Sequence, residues 1–97
     1  MIHDPVSTIF IYELNSSVIP QENSISLTEE DFKVFPKLAP VIRDKTQKAV
    51  VIMDDGRLLY KISLFEEDER YTFTIRYGSS GFFEYKGKYY SYGLMLN

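Results

Sequence analysis

The sequence predicts an α+β domain: one short, proline-interrupted helix packed on an antiparallel β-meander of about five to six strands. Three observations carry this. Residues 71–77 (YTFTIRY) alternate, with Tyr71, Phe73, Ile75 and Tyr77 on one side and Thr72, Thr74 and Arg76 on the other, the period of an extended chain. Residues 28–42 begin with Thr28 and three carboxylates, then place Phe32, Phe35, Leu38, Ala39 and Ile42 at helical spacing. Asp54-Asp55-Gly56 and Lys86-Gly87 fall between strand-like runs, where X-Gly pairs supply the positive φ of tight hairpin loops. A run of strands this long can also curl into a small half-open barrel, the alternative architecture.

In chain order, Thr8–Leu14 is apolar on both faces, the pattern of a strand flanked or covered on both sides. Asn15-Ser16-Ser17 ends it, 18–23 is a loop with Pro20, and Ile25–Leu27 is a brief extended segment. Thr28 suits a helix N-cap, and Glu29, Glu30 and Asp31 sit where the helix dipole favours acids. Asp31 stands at the position where Glu or Gln completes a capping box. Pro36 and Pro40 each remove a backbone donor. The helix therefore divides into a turn over 29–35 and a second piece from Pro36 that Pro40 shortens or bends. Arg43–Lys48 is a polar connection. Ala49–Met53, apolar throughout, reads as a central strand, and Arg57–Leu64 alternates as its hairpin partner. Glu66–Glu69 is an acidic turn before the strand 71–77. Gly78–Gly81 breaks that strand, and Phe83–Tyr85 and Lys88–Tyr92 follow as two more. Tyr71, Phe73, Ile75 and Tyr77 are expected to face Phe32, Phe35, Leu38 and Ile42 as one aromatic core.

With 97 residues and 44% hydrophobic content, the chain fits one globular domain, 1–97. No stretch approaches a membrane span and MIHDPVST lacks a basic signal region, so a soluble cytoplasmic protein is expected. The absence of cysteine excludes disulfides and thiolate chemistry. Residues 1–31 hold six acids and no Lys or Arg, whereas 32–97 hold all 11 bases against eight acids. That segregation suggests an electrically polar molecule. Residues 70–97 also carry nine of the 15 aromatics.

LTEEDF (Leu27–Phe32) with Pro36-x-Leu38 and Ile42, and EYKGKYYS (Glu84–Ser91), resemble small uncharacterised archaeal proteins. Those carry an LTEEDF…PxLxxxI segment and an EYxGKYY-like ending. The likeness covers about a quarter of the chain, in two short pieces. Pro40 departs from it, standing where such sequences more often keep a helix former. The resemblance leans toward archaea and implies no activity.

Residue types weigh against catalysis. His3, the single histidine, lies at the terminus, where a solvated side chain is expected. The clusters Glu29–Asp31, Asp54/Asp55 and Glu66–Glu69 read as a helix start, a hairpin turn and a solvated loop, so no metal, cofactor or catalytic residue is assigned. Gly78–Gly81 feeds a strand and no phosphate-binding loop motif is present. The function that fits is a non-enzymatic interaction domain whose aromatic C-terminal sheet engages a protein partner, or a second copy by sheet extension. Its contact residues are Tyr77, Tyr85, Tyr89, Tyr90 and Tyr92, interleaved with Arg76, Lys86 and Lys88. The same set could bind single-stranded nucleic acid by stacking, against a pI of 5.1.

Overall fold

A computed structural model of the chain describes residues 4–14, 23–52 and 57–96. Among these residues six strands form one sheet: β1 Ser7–Glu13, β2 Ile25–Ser26, β3 Val51–Ile52, β4 Leu58–Leu64, β5 Ser80–Tyr85 and β6 Lys88–Leu96. Their order is β2-β5-β6-β1-β4-β3, and every pair is antiparallel except β2 with β5. The α+β class holds, and the sheet is open rather than closed into a barrel. It is not a simple meander, because β1 is inserted between β6 and β4. That placement answers to its composition: Ile9 and Ile11 are buried on one face while Phe10 and Tyr12 are half-buried on the other.

The helix start behaves as its residues dictate. α1 spans Glu29–Val34, and Asp31 Oδ2 accepts the Thr28 backbone N–H at 2.8 Å, so the shorter acid completes its side of a capping box. Pro36 then begins a 3₁₀ turn, Pro36–Leu38, where its missing N–H costs nothing. Pro40 falls near the start of a single π turn, Ala39–Arg43, that carries Val41 and Ile42 into the core.

Residues 71–77 correct the reading of a strand. They belong to α2, Glu67–Tyr77. Glu69 Oε1 accepts the backbone N–H groups of Phe65 and Glu66 at 3.1 and 3.2 Å, capping the N-terminus. Gly78, at φ +81°, ends the helix and donates to the Thr74 carbonyl. Phe73 and Tyr77, one turn apart, are buried, whereas Tyr71 and Ile75 are 64% and 70% exposed. Only half of the expected stripe therefore reaches the core.

The Ala49–Met53 strand is also revised. It is reduced to the two residues of β3 and lies at the sheet edge rather than its centre. The Asp54-Asp55-Gly56 turn lies outside the described residues, as do His3, Met53 and the loop from Asn15 to Glu22. Lys86-Gly87 is the expected tight turn: both residues take positive φ, 50° and 82°, between the paired Tyr85 and Lys88.

The helical segments cover one face of the sheet. Phe73 meets Phe35, Tyr77, Phe83 and Tyr92 with ring centroids 5.0–6.4 Å apart. Phe83 and Tyr92 stack at 4.1 Å. Ile9, Ile11, Ile62 and Leu64 extend the core along the central strands, under Leu38, Val41 and Ile42. No helix among the described residues is long and apolar enough to cross a membrane.

Candidate functional site

With the helical layer packed on the Ile9/Ile11 face, strand alternation leaves a second face that no helix among the described residues covers. Register identifies its residues. Phe10 pairs with Gly93 and Lys61, Tyr12 with Ser91 and Leu59, Phe82 with Ser91, and Glu84 with Tyr89. β6 thus runs between aromatic neighbours while presenting Ser91 and Gly93, the two smallest side-chain positions. Small residues on a central strand, flanked by large ones, leave a furrow. It encloses about 490 Å³ and is lined by Phe10, Tyr12, Ser80, Ser91, Gly93 and Met95. A Cβ built on Gly93 meets nothing within 4 Å, so the glycine itself keeps the furrow open.

Cations frame one flank of this face. Lys61 Nζ sits 5.4 Å from the Phe10 ring centroid and the Arg57 guanidinium 5.0 Å from that of Tyr12. Glu84 stands on the opposite flank, its Oε1 accepting the Gly87 N–H at 3.1 Å. An apolar centre with a charged margin is the anatomy of a protein contact surface. The outward edge of β4 is not free. Leu59, Lys61 and Ser63 carbonyls accept from the Val50 N–H at 2.8 Å, Gln47 Nε2 at 2.7 Å and Lys37 Nζ at 2.9 Å. Occupied acceptors blunt this edge against strand addition.

The residues singled out from the sequence do not form one platform. Tyr77, Tyr90 and Tyr92 are core side chains. Tyr77 Oη donates to Asp31 Oδ1 at 2.8 Å, and Tyr92 Oη donates to the Tyr77 carbonyl. Tyr90 Oη accepts from Lys45 Nζ at 2.5 Å; burial, then the nearby Glu13, push its hydroxyl pKa up to about 12. Arg76 Nε donates to Asp31 Oδ1 at 3.0 Å and to Tyr77 Oη at 3.1 Å, so it ties α2 to α1. Tyr85, Lys86 and Lys88 gather at the β5–β6 turn, with Tyr85 edge-on to Phe32 at 5.3 Å. Tyr89 alone of the five tyrosines points to the uncovered face.

Phe10, Tyr12, Phe82, Gly93 and Met95 are the members that residue reading missed. The signal was present in Thr8–Leu14, whose apolar residues on both faces require two environments. Only the pairing of Phe10 with Gly93 shows where the second one lies. Comparison of the chain with protein-family models, curated proteins and solved structures finds no match.

Proposed function

We propose that the chain is a non-enzymatic interaction domain that engages a protein partner through the uncovered sheet face, centred on the furrow along β6. The observation that supports this is the half-buried aromatic set Phe10, Tyr12, Phe82 and Tyr89, with exposed Met95, around a floor of Ser91 and Gly93. Aromatic and Met side chains dominate contact centres because they bury large areas at modest entropic cost. A second copy is the occupant that the charge layout favours. A two-fold axis parallel to the strands lays the Lys61 flank of one copy on the Glu84 flank of the other. Face-to-face packing also suits a sheet whose β4 edge is already blunted. A cysteine-free chain suits the reducing cytoplasm, the compartment this reading assumes. Single-stranded nucleic acid is less favoured: three of the five tyrosines are buried and Arg76 is committed to Asp31.

Sedimentation velocity over a concentration series tests the reading, with Gly93→Lys as the probe. That side chain has open space and places a charge in the furrow. The wild-type chain is expected to dimerise with rising concentration and the variant to stay monomeric with an unchanged melting temperature. A wild-type chain still monomeric at about 1 mM, where an interface worth about 4 kcal/mol is half-formed, rules out the second copy.

A further inference from the structure

On the helical side of the sheet, where the π turn meets the β5–β6 turn, a separate pocket encloses about 160 Å³. Arg43, Lys45, Lys86 and Lys88 line it with Tyr85 and Tyr90, and no carboxylate does. Concentrating four cations is unfavourable unless something compensates them, and the compensation here is partial. Glu13 Oε1 lies 3.6 Å from Lys45 Nζ and 3.8 Å from Lys88 Nζ, beyond hydrogen-bond length for both. Arg43 is paired with Glu29 at 2.8 Å and Asp44 at 2.9 Å. Lys86 has no ion pair among the described residues, its Nζ standing 5.4 Å from the Tyr85 ring centroid.

The backbone supplies an independent observation. Two non-glycine residues among those described take positive φ, Lys45 at 57° and Lys86 at 50°, and both line this pocket. A left-handed lysine is uncommon, and Asn or Gly would occupy either position at lower cost. At Lys86 the positive φ is that of the tight turn with Gly87; both lysines line the one small space, Lys45 Nζ 4.5 Å from the Tyr90 ring centroid and Lys86 Nζ 5.4 Å from that of Tyr85. Tyr90 adds a buried hydroxyl that accepts from Lys45 and keeps its own proton for donation at neutral pH.

We propose that this pocket binds a phosphomonoester-class anion, with Lys45, Lys86 and Lys88 supplying charge, Arg43 closing the rim and the Tyr90 hydroxyl donating to a phosphate oxygen. The site is separate from the uncovered face and does not depend on it. Diffuse attraction is no substitute, since the chain carries a net charge of −3.

Calorimetric titration of the whole chain at low ionic strength tests it with three probes: inorganic phosphate, a nucleoside 5′-monophosphate and a short single-stranded oligonucleotide. Saturable one-to-one binding of the first two is expected, with NMR shifts at the Lys45 and Lys86 amides. The decisive variants are Lys86→Asn and Lys45→Asn. Both keep a residue that tolerates positive φ, and Asn-Gly is the favoured type I′ pair, so folding is retained. Each is expected to weaken phosphate binding about tenfold, the loss of one charge-assisted contact; Lys86→Asn should do so without lowering the melting temperature, whereas Lys45→Asn also gives up the hydrogen bond to Tyr90 and lowers it slightly. Equal affinity in wild type and the double variant overturns the assignment. So does binding of the oligonucleotide alone, which would indicate a polyanion track instead of a pocket.

Discussion

Gly81 takes φ +155° directly beneath Tyr92, and a Cβ there would lie 2.9 Å from the tyrosine Oη and 3.2 Å from its Cζ. The missing side chain lets the Tyr92 hydroxyl reach the Tyr77 carbonyl at the end of α2, so one glycine couples β5, β6 and the helix. Gly81→Ala is expected to cost about 2–3 kcal/mol through contact and backbone strain. Tyr92→Phe, which removes one buried hydrogen bond, should cost about 1 kcal/mol. Part of the alanine's cost is collision with the hydroxyl, so the double variant should lose less than the sum of the two. Strictly additive losses in urea melts would show that backbone conformation alone makes Gly81 necessary. At this scale much was legible in the sequence: the alternation of Tyr90 and Tyr92 against Tyr89 and Ser91, and the Lys86-Gly87 turn. The approach of Tyr92 to Gly81 was not, because it depends on the pairing register of two strands.

The helix α2 shows where a local pattern ceases to decide. Over seven residues, a period of two contains two sets of positions four apart, Tyr71 with Ile75 and Phe73 with Tyr77. Alternation therefore fits a strand or either face of a helix. The β-prone residues of YTFTIRY pull toward a strand. The capping by Glu69, the acidic first turn and Gly78 pull toward a helix, and those are end signals rather than interior ones. Long-range packing settles the matter, since the sheet needs a cover and Phe73 fills the space among Phe35, Phe83 and Tyr92. Phe73→Ala is accordingly expected to cost about 3–5 kcal/mol. Ile75→Ala should change stability by less than about 0.5 kcal/mol, or raise it, because Ile75 is exposed and Ala is the better helix former. Urea unfolding of the pair distinguishes the two structures. A strand buries both residues and would make both substitutions costly.

For the molecule as a whole, the charge segregation seen along the chain is partly folded together. Early acids meet late bases: Glu13 lies beside Lys45 and Lys88, Glu29 on Arg43 and Asp31 on Arg76. Three of the six early acids thus lie against later bases, which narrows the separation of charge without abolishing it. Sequence composition holds the two populations of charge, but only the fold brings them together, β1 beside β6 for Glu13 and Lys88 and α1 beside α2 for Asp31 and Arg76.

Two acids, Asp31 and Glu69, make folding depend on pH. Burial pushes the Asp31 carboxyl up, but hydrogen bonds from Thr28, Tyr77 and Arg76 outweigh it and hold the pKa below its ordinary value. Glu69 follows the same balance: burial raises it, while Lys37, at 2.7 Å, and the Phe65 and Glu66 N–H groups bring it down. A carboxylate with a lower pKa in the folded state adds stability that is complete above its unfolded value. That contribution disappears as pH falls through the folded one. Tyrosines act at the other end. Burial raises Tyr60, Tyr77, Tyr90 and Tyr92, so their contribution is complete below about 10 and is lost as pH rises beyond it. Urea midpoints should therefore be flat between about pH 5 and 9, fall below about pH 4 and fall again above about pH 10. Asp31→Asn cannot titrate and still accepts a hydrogen bond, so its melts should start from a lower plateau and decline less steeply in acid. An acid limb equally steep in wild type and in the Asp31→Asn, Glu69→Gln double variant would assign the acid sensitivity to other carboxylates.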